Sequence, residues 1–243
     1  MNSNSSKDDI HSDGDAHTNS GGANLNRLRA AVLGANDGIV SVAAIVLSVA
    51  GATTNKGSIF TAGLPGFVAG ALSMGVGEYV SVSTQRDTER AFIRHEAWEL
   101  KTKPKEELAE LAQMYQEKGV SAKTAKQVAK ELTDHDALAA HLDVELNIDP
   151  EDLTNPWQAA IASLFSFTVG ALIPLLSILL ASTHLRFTVT FIAVTIALLL
   201  TGYLSATAGG ASRRHAMVRV VVGGWLAMVV TYGIGHLFGT AVS

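Results

Sequence analysis

The chain has 243 residues, of which 48% are hydrophobic and only 16% charged, with a formal net charge of −4 and no cysteine. Disulfides, thiolate metal sites and cysteine nucleophiles are therefore excluded, and any bound metal must be met by carboxylate, imidazole, thioether or carbonyl. A mean hydropathy of +0.26 points to membrane spans plus a polar domain, and the lack of a long basic block argues against nucleic acid as a partner.

Residues 1–26, which open "MNSNSSKDDIHSDGDAHTNSGGAN", are rich in Ser, Asn, Asp and Gly with almost nothing to bury, and are expected to be a disordered polar tail. The stretch lacks the basic start and apolar middle of a signal peptide. Its His11 and His17 read as solvated rather than as ligands.

Crossing a hydrocarbon core of about 30 Å takes roughly 20 apolar residues, and segments near 28–52, 57–82, 157–181, 187–208 and 215–238 qualify. The expected fold is all-α: a polytopic membrane protein with five transmembrane helices, spans one and two within 27–83 and spans three to five within 156–240. Between them, 84–150 is dense in charge with apolar residues at helical spacing, and reads as an inserted cytoplasmic domain of three helices. Basic residues near span ends set orientation. Arg27, Arg29, Arg86, Arg90, Arg213, Arg214 and Arg219 collect on one side, against Lys56 and Arg186 on the other. The N-terminus and 84–150 are accordingly placed in the cytoplasm and the C-terminus outside. With no targeting segment read, the plasma membrane of a bacterium is the expected location.

Span one contains "GANDGIV", residues 34–40, although a charged residue at a span centre costs about 2.5–3.5 kcal/mol. Asp37 shares a helical stripe with Gly34, Ser41, Ala44, Ser48 and Gly51, while span two carries Gly63, Gly66, Gly70, Met74, Gly77 and Ser81 on a second small-residue stripe. Asp37 follows Arg29 by eight residues and Glu78 precedes Arg86 by eight, which sets both about 12 Å from the basic rim at 1.5 Å per residue. Met74 lies one turn deeper. If the stripes face each other, two carboxylates and a thioether form a divalent-cation site. Singly, each residue has a plainer reading: Met74 fills a gap between helices, Glu78 snorkels or pairs with Arg86, and Asp37 accepts a structural hydrogen bond. Their coincidence of depth and face is what favours a site.

No breaker stands between Ser81 and Lys103, so span two is expected to continue into the polar domain as one helix. Pro104 suits a first helical position with Glu106 and Glu107 in the first turn, and "EKG" at 117–119 ends that helix at a glycine. Ser121 caps a second helix, and Thr133 followed by Asp136 resembles a capping box for a third, "DHDALAAHLDVEL". Glu96 with Glu99, Glu107 with Glu110, and His141 with Glu145 sit three or four residues apart, the spacing of one helix face. On packed helices the three pairs would assemble a carboxylate-rich metal cluster, flanked by the weaker candidates His95 and His135. Taken singly, glutamates at this spacing are usually solvated, and Glu106 and Glu107 also complement the helix dipole.

The segments "LGANDGIVS", "GALSMGVGEYVSVSTQRD", "NPWQAAIASLFSFTVGALIPLL" and "RVVVGGWLAMVVTYGIG" together resemble the vacuolar iron transporter family, from about residue 28 to the end. The resemblance implies a homodimer of five-span subunits that exports ferrous iron, and in some members manganese, from the cytoplasm in exchange for protons. It implies that Asp37 and Met74 line the transport path. It further implies metal binding in the inserted domain through Glu96, Glu99, Glu107, Glu110 and Glu145, where some members have paired methionines shortly before the last glutamate. Here His141 and Leu142 stand instead, and His141 is taken as the replacing ligand, with zinc a further candidate cation at that site.

The residue chemistry is compatible with these expectations. Carboxylates bind a divalent ion only when deprotonated, so metal and proton compete for the same oxygens. A thioether biases the path toward transition metals. The metal is then substrate, and no prosthetic group is expected. Two other classes compete. A membrane-anchored, ferritin-like iron-oxidising enzyme would typically use Glu-x-x-His ligand motifs, which 84–150 lacks. A non-transporting metal sensor would have little use for glycine-lined acidic spans.

Overall fold

The computed structural model describes residues 21–150 and 153–242. Most of the expected polar tail, with His11 and His17, therefore lies outside the described residues. Those described form helices α1 (Gly21–Ala52), α2 (Lys56–Thr102), α3 (Pro104–Glu117), α4 (Ala122–His141), a π-helical turn (Leu142–Leu146), α5 (Pro156–Leu180), α6 (Arg186–Ala208) and α7 (Arg213–Val242), with no strand among the described residues. Five of them, α1, α2, α5, α6 and α7, are long and apolar enough to cross a membrane. Leu72, Val76, Ile161, Phe165, Leu200 and Leu226 stand exposed on these helices, as expected of side chains whose solvent is lipid.

Helix starts follow from local chemistry. Asn55 opens α2 by accepting from the Gly57 and Ser58 amides at 2.7 and 3.2 Å. Asn155 does the same for α5, accepting from Trp157 N at 3.0 Å ahead of Pro156 at the first position. The 47 residues of α2 make a rod about 70 Å long at 1.5 Å per residue, roughly twice the hydrocarbon thickness. Its segment beyond residue 82 therefore projects from the apolar part as one continuous helix, as the sequence predicts.

α1 is the central helix, and close backbone approach fixes its neighbours. A Cβ on Gly38 would overlap the Phe167 carbonyl of α5, and one on Gly170 would overlap the Ala35 carbonyl of α1. Gly235 seats α7 on the Ser48 carbonyl in the same way. Without a hydrophobic driving force in lipid, such small-residue contacts hold the spans through dispersion. Ile39, Val42, Val46 and Leu47 of α1 pack there with Phe167, Ile178, Leu198 and Met228.

The polar helices have a small core of their own, Leu111, Ala112 and Ala129, bordered by Leu108, Tyr115 and Leu132. α3 ends at Gly119, whose φ of +94° permits the Schellman pair of bonds, Gly119 N to Gln116 O at 2.9 Å and Val120 N to Tyr115 O at 3.1 Å. Ser121 then caps α4 through Thr124 N. The expected box at Thr133 does not form. α4 continues through Thr133 and kinks at Asp136 (φ −157°, ψ 94°), whose Oδ1 accepts from Ala139 N at 3.0 Å. Asp136 is thus itself the cap of the last turns, three residues later than expected, while the Thr133 hydroxyl is buried without a partner.

Candidate metal centre and membrane path

Glu96 from the projecting end of α2, Glu107 from α3, His141 from the end of α4 and Glu145 from the π-helical turn approach one point. Glu96 and Glu107 are each 4% exposed and His141 is fully enclosed. His141 Nδ1 lies 3.0 Å from Glu96 Oε1 and 3.9 Å from both Glu107 Oε2 and Glu145 Oε2. Glu96, Glu107 and His141 each turn one ligand atom to within 4.8 Å of the other two.

Despite this proximity, neither His141 ring nitrogen nor Glu96 Oε1 makes a hydrogen bond. Each buried polar atom left unpaired costs about 1–3 kcal/mol, and Glu96 Oε1 and His141 Nδ1, 3.0 Å apart, are two that a single cation would satisfy, whereas Nε2 lies on the far side of the ring. Adjacent ligands of an octahedral cation, each about 2.1 Å from it, sit about 3 Å apart. The His141–Glu96 separation fits that geometry, and the oxygen and imidazole donor set suits iron, manganese or zinc in their divalent states.

Burial pushes the Glu96 carboxyl up from 4.5 to about 7, helped by the Glu145 and Glu107 carboxylates beside it. Glu107 and Glu145 are raised as well, by burial first and then by Glu110. Burial moves His141 the other way, lowering it against the pull of Glu110. Protons thus collect on the acids and leave the imidazole neutral. A divalent cation entering such a set displaces protons from the oxygens it binds.

Glu99, Glu110 and Glu145, expected alongside, stand outside the buried Glu96, Glu107 and His141 set, and Glu145, itself exposed, reaches it only with Oε2 at 3.9 Å from His141 Nδ1. Glu99 is held by Lys103 Nζ at 3.1 Å and by His95 Nε2 at 3.3 Å, because positions three apart on a helix diverge by about 60° and only Glu96 turns inward. Glu110 is exposed and reaches the cluster through its charge. His95 stacks on Trp98, His135 is exposed, and Leu142 is fully buried as an apolar residue.

In the spans, Asp37 is half-buried and accepts from Ser41 Oγ at 2.7 Å. Met74 packs against the membrane core. Glu78 is half-buried, and no ion pair joins it to Arg86 among the described residues. The two small-residue stripes do not seat directly on each other at this depth. Gly63 meets Val46 and Gly66 meets Ile45 toward the linked ends of α1 and α2, but Gly34 and Gly38 seat on Ser163 and Phe167 of α5. Gly70 likewise meets the Phe167 ring, and Gly75 meets Leu164 and Ala160. α5 therefore stands against both stripes, and its small residues at 163, 170 and 171 let it approach them. The α1 face bearing Asp37, Ser41, Ala44 and Ser48 is left half-open, and Gly77 of α2 has open space around it.

Two buried polar groups of the spans were not singled out from the sequence. Asn36 Oδ1 and Ser163 Oγ are buried without partners, and the Ser163 carbonyl lies against Gly34. The available signal was a second polar residue next to Asp37 and a serine within the apolar run of span three.

The family model described as the VIT family matches residues 28–236. The chain belongs to the VIT family. A vacuolar iron transporter of Acanthamoeba castellanii is 41% identical over 230 residues, covering 94% of this chain and 84% of that protein. Vacuolar iron transporter homolog 2.1 of Arabidopsis thaliana is 37% identical over 215 residues, covering 88% and 82%. Vacuolar iron transporter homolog 1 of Oryza sativa is 36% identical over 213 residues, covering 87% and 74%. These VIT-family relatives are named as transporters, and this member is a membrane protein rather than an enzyme.

Proposed function

We propose that this VIT-family chain is a proton-coupled transporter of divalent iron, manganese or both, exporting the metal from the cytoplasm by exchange for protons. The observation that carries the proposal is the buried Glu96, Glu107 and His141 set, in which Glu96 Oε1 and the His141 ring nitrogens lack hydrogen-bond partners and Glu96 stands on the same continuous helix as Met74 and Glu78. Glu96 lies 18 residues beyond Glu78 in α2, about 27 Å along an unbroken rod. A cytosolic site that collects metal is thereby rigidly joined to the path. Asp37, Met74 and Glu78 are the proposed path residues; Glu96, Glu107, His141 and Glu145 are the proposed ligands, with Glu99 and Glu110 supplying negative potential at the rim.

The half-open α1 face at Asp37 supports a homodimer, since a second copy would cover a carboxylate that lipid would not tolerate. The distribution of basic residues supports a cytoplasmic location for the N-terminal end and for α3 and α4. A bacterial-type plasma membrane remains the proposed location; the word vacuolar in the relatives' names makes an organelle membrane the competing assignment. In proteoliposomes with an acidic lumen, offered iron, manganese, cobalt or zinc in the divalent state, the wild type should accumulate the first two. Asp37→Ala should insert normally and move none. Undiminished transport by Asp37→Ala would remove the path from the proposal.

A further inference from the structure

At the end of the bundle that carries the polar helices, α1, α6 and α7 line an open cavity of about 380 Å³ whose walls include Val32, Leu33 and Val220. Arg29 and Arg219 line the same cavity, and no acidic side chain does among the described residues. Both arginines are exposed, and neither has an ion-pair partner among the described residues. Arg213 nearby differs, lying over the Tyr203 ring at 5.3 Å. Deeper in the cavity, Asn36 has its Oδ1 buried without a partner.

The depth of the cavity is informative. Its α1 wall runs from Leu28 to Asn36, about 12 Å along the helix. That distance reaches from the basic rim, where headgroups sit, into the hydrocarbon. Two unpaired guanidinium groups without a carboxylate repel a divalent cation, so the cavity does not serve the metal. A small free anion would satisfy the arginines but leave the apolar walls without a purpose. A ligand with an anionic head and a hydrocarbon tail satisfies both, and the surrounding solvent is made of such molecules.

We propose that this cavity is a binding site for an anionic phospholipid, with its phosphate between Arg29 and Arg219 and an acyl chain against Val32, Leu33 and Val220. Basic pockets between spans recognise such headgroups, and planar guanidinium groups pair well with phosphate. Because α1 also carries Asp37, lipid bound here braces the path helix against α6 and α7. The inference depends on the chain lying in a membrane and not on the transport reaction.

The test is native mass spectrometry and thermal unfolding of the full chain in detergent, titrated with phosphatidylglycerol, phosphatidylcholine or inorganic phosphate. Phosphatidylglycerol should be retained and raise the unfolding temperature, while the other two should not. R29Q/R219Q should weaken phosphatidylglycerol retention by roughly thirtyfold, the product of two basic contacts near a membrane surface. The charge-matched control R90Q/R94Q, on the projecting part of α2, should retain it like the wild type. Val32→Trp keeps both arginines but fills the cavity, and should lose the lipid as well, which keeps the test open if the double variant does not fold. Equal retention of both lipids, an equal effect of inorganic phosphate, or unchanged retention in the cavity variants would overturn the proposal.

Discussion

Lowering the pH should unload the Glu96–Glu107–His141 cluster steeply. The Glu96 carboxyl stands at about 7 instead of 4.5, a preference for the protonated form on the order of 3 kcal/mol. Its folded value is raised, so the metal-free fold gains from this group below about 4.5 and loses that gain as the pH rises through about 7. Glu107 and Glu145 act in the same direction, being raised. His141 acts oppositely: its value is lowered from 6.5, so its contribution appears as the pH rises toward 6.5. A bound cation takes the place of the protons on the acids. Displacing one proton makes affinity fall about tenfold per pH unit below the group's value, and the additional raised carboxyls make the fall steeper. The measurement is calorimetric titration of Mn²⁺ into the full chain in detergent, from about pH 5.5 to 8, on an Asp37→Ala background so that the cluster dominates. Buffers of different ionisation enthalpy count the protons. Roughly one or more should leave per cation near neutrality, and Glu96→Gln should bind more weakly with a flatter pH dependence. Affinity that does not change between about pH 6 and 8, or a Glu96→Gln variant that matches the wild type in affinity and proton release, would refute the reasoning.

His141→Leu separates a ligand from a structural residue: removing an unpaired buried imidazole should leave thermal stability unchanged or slightly higher while Mn²⁺ affinity drops at least tenfold, as calorimetry would show. Gly38→Ala drives a methyl into the Phe167 carbonyl of α5 and should lower stability by about 1–3 kcal/mol or more. Gly223→Ala, which meets open space, should stay within about 0.5 kcal/mol; thermal unfolding in detergent checks both.

Much of the fold is legible because its signals are local. Pro104 and Ser121 mark helix starts, Gly119 marks a stop, and the unbroken run from Ser81 to Thr102 does become one helix. His141 could be read as a candidate because it sits four residues before Glu145 on a helical face, and the structure groups it with the buried Glu96 and Glu107. Other features depend on neighbours that periodicity does not name. A small-residue stripe says that something approaches closely, not which helix does; here α5 takes contacts that a pairing of α1 with α2 would have claimed. The choice between Thr133 and Asp136 as a cap, and the π-helical turn after His141, follow from how α4 must bend to bring His141 to Glu96. Glu96 and Glu99 look alike in sequence, and burial alone distinguishes them.

The central claim is that metal and protons exchange on the same acidic oxygens. Its most direct measurement follows both fluxes at once in proteoliposomes with an acidic lumen, using a luminal pH dye and a metal-sensitive dye. Exchange predicts that Mn²⁺ enters against its own gradient while the lumen alkalinises in proportion, and that a protonophore abolishes accumulation. Uptake that proceeds at the same rate and to the same level after the pH gradient is dissipated, with no proton movement, would contradict it.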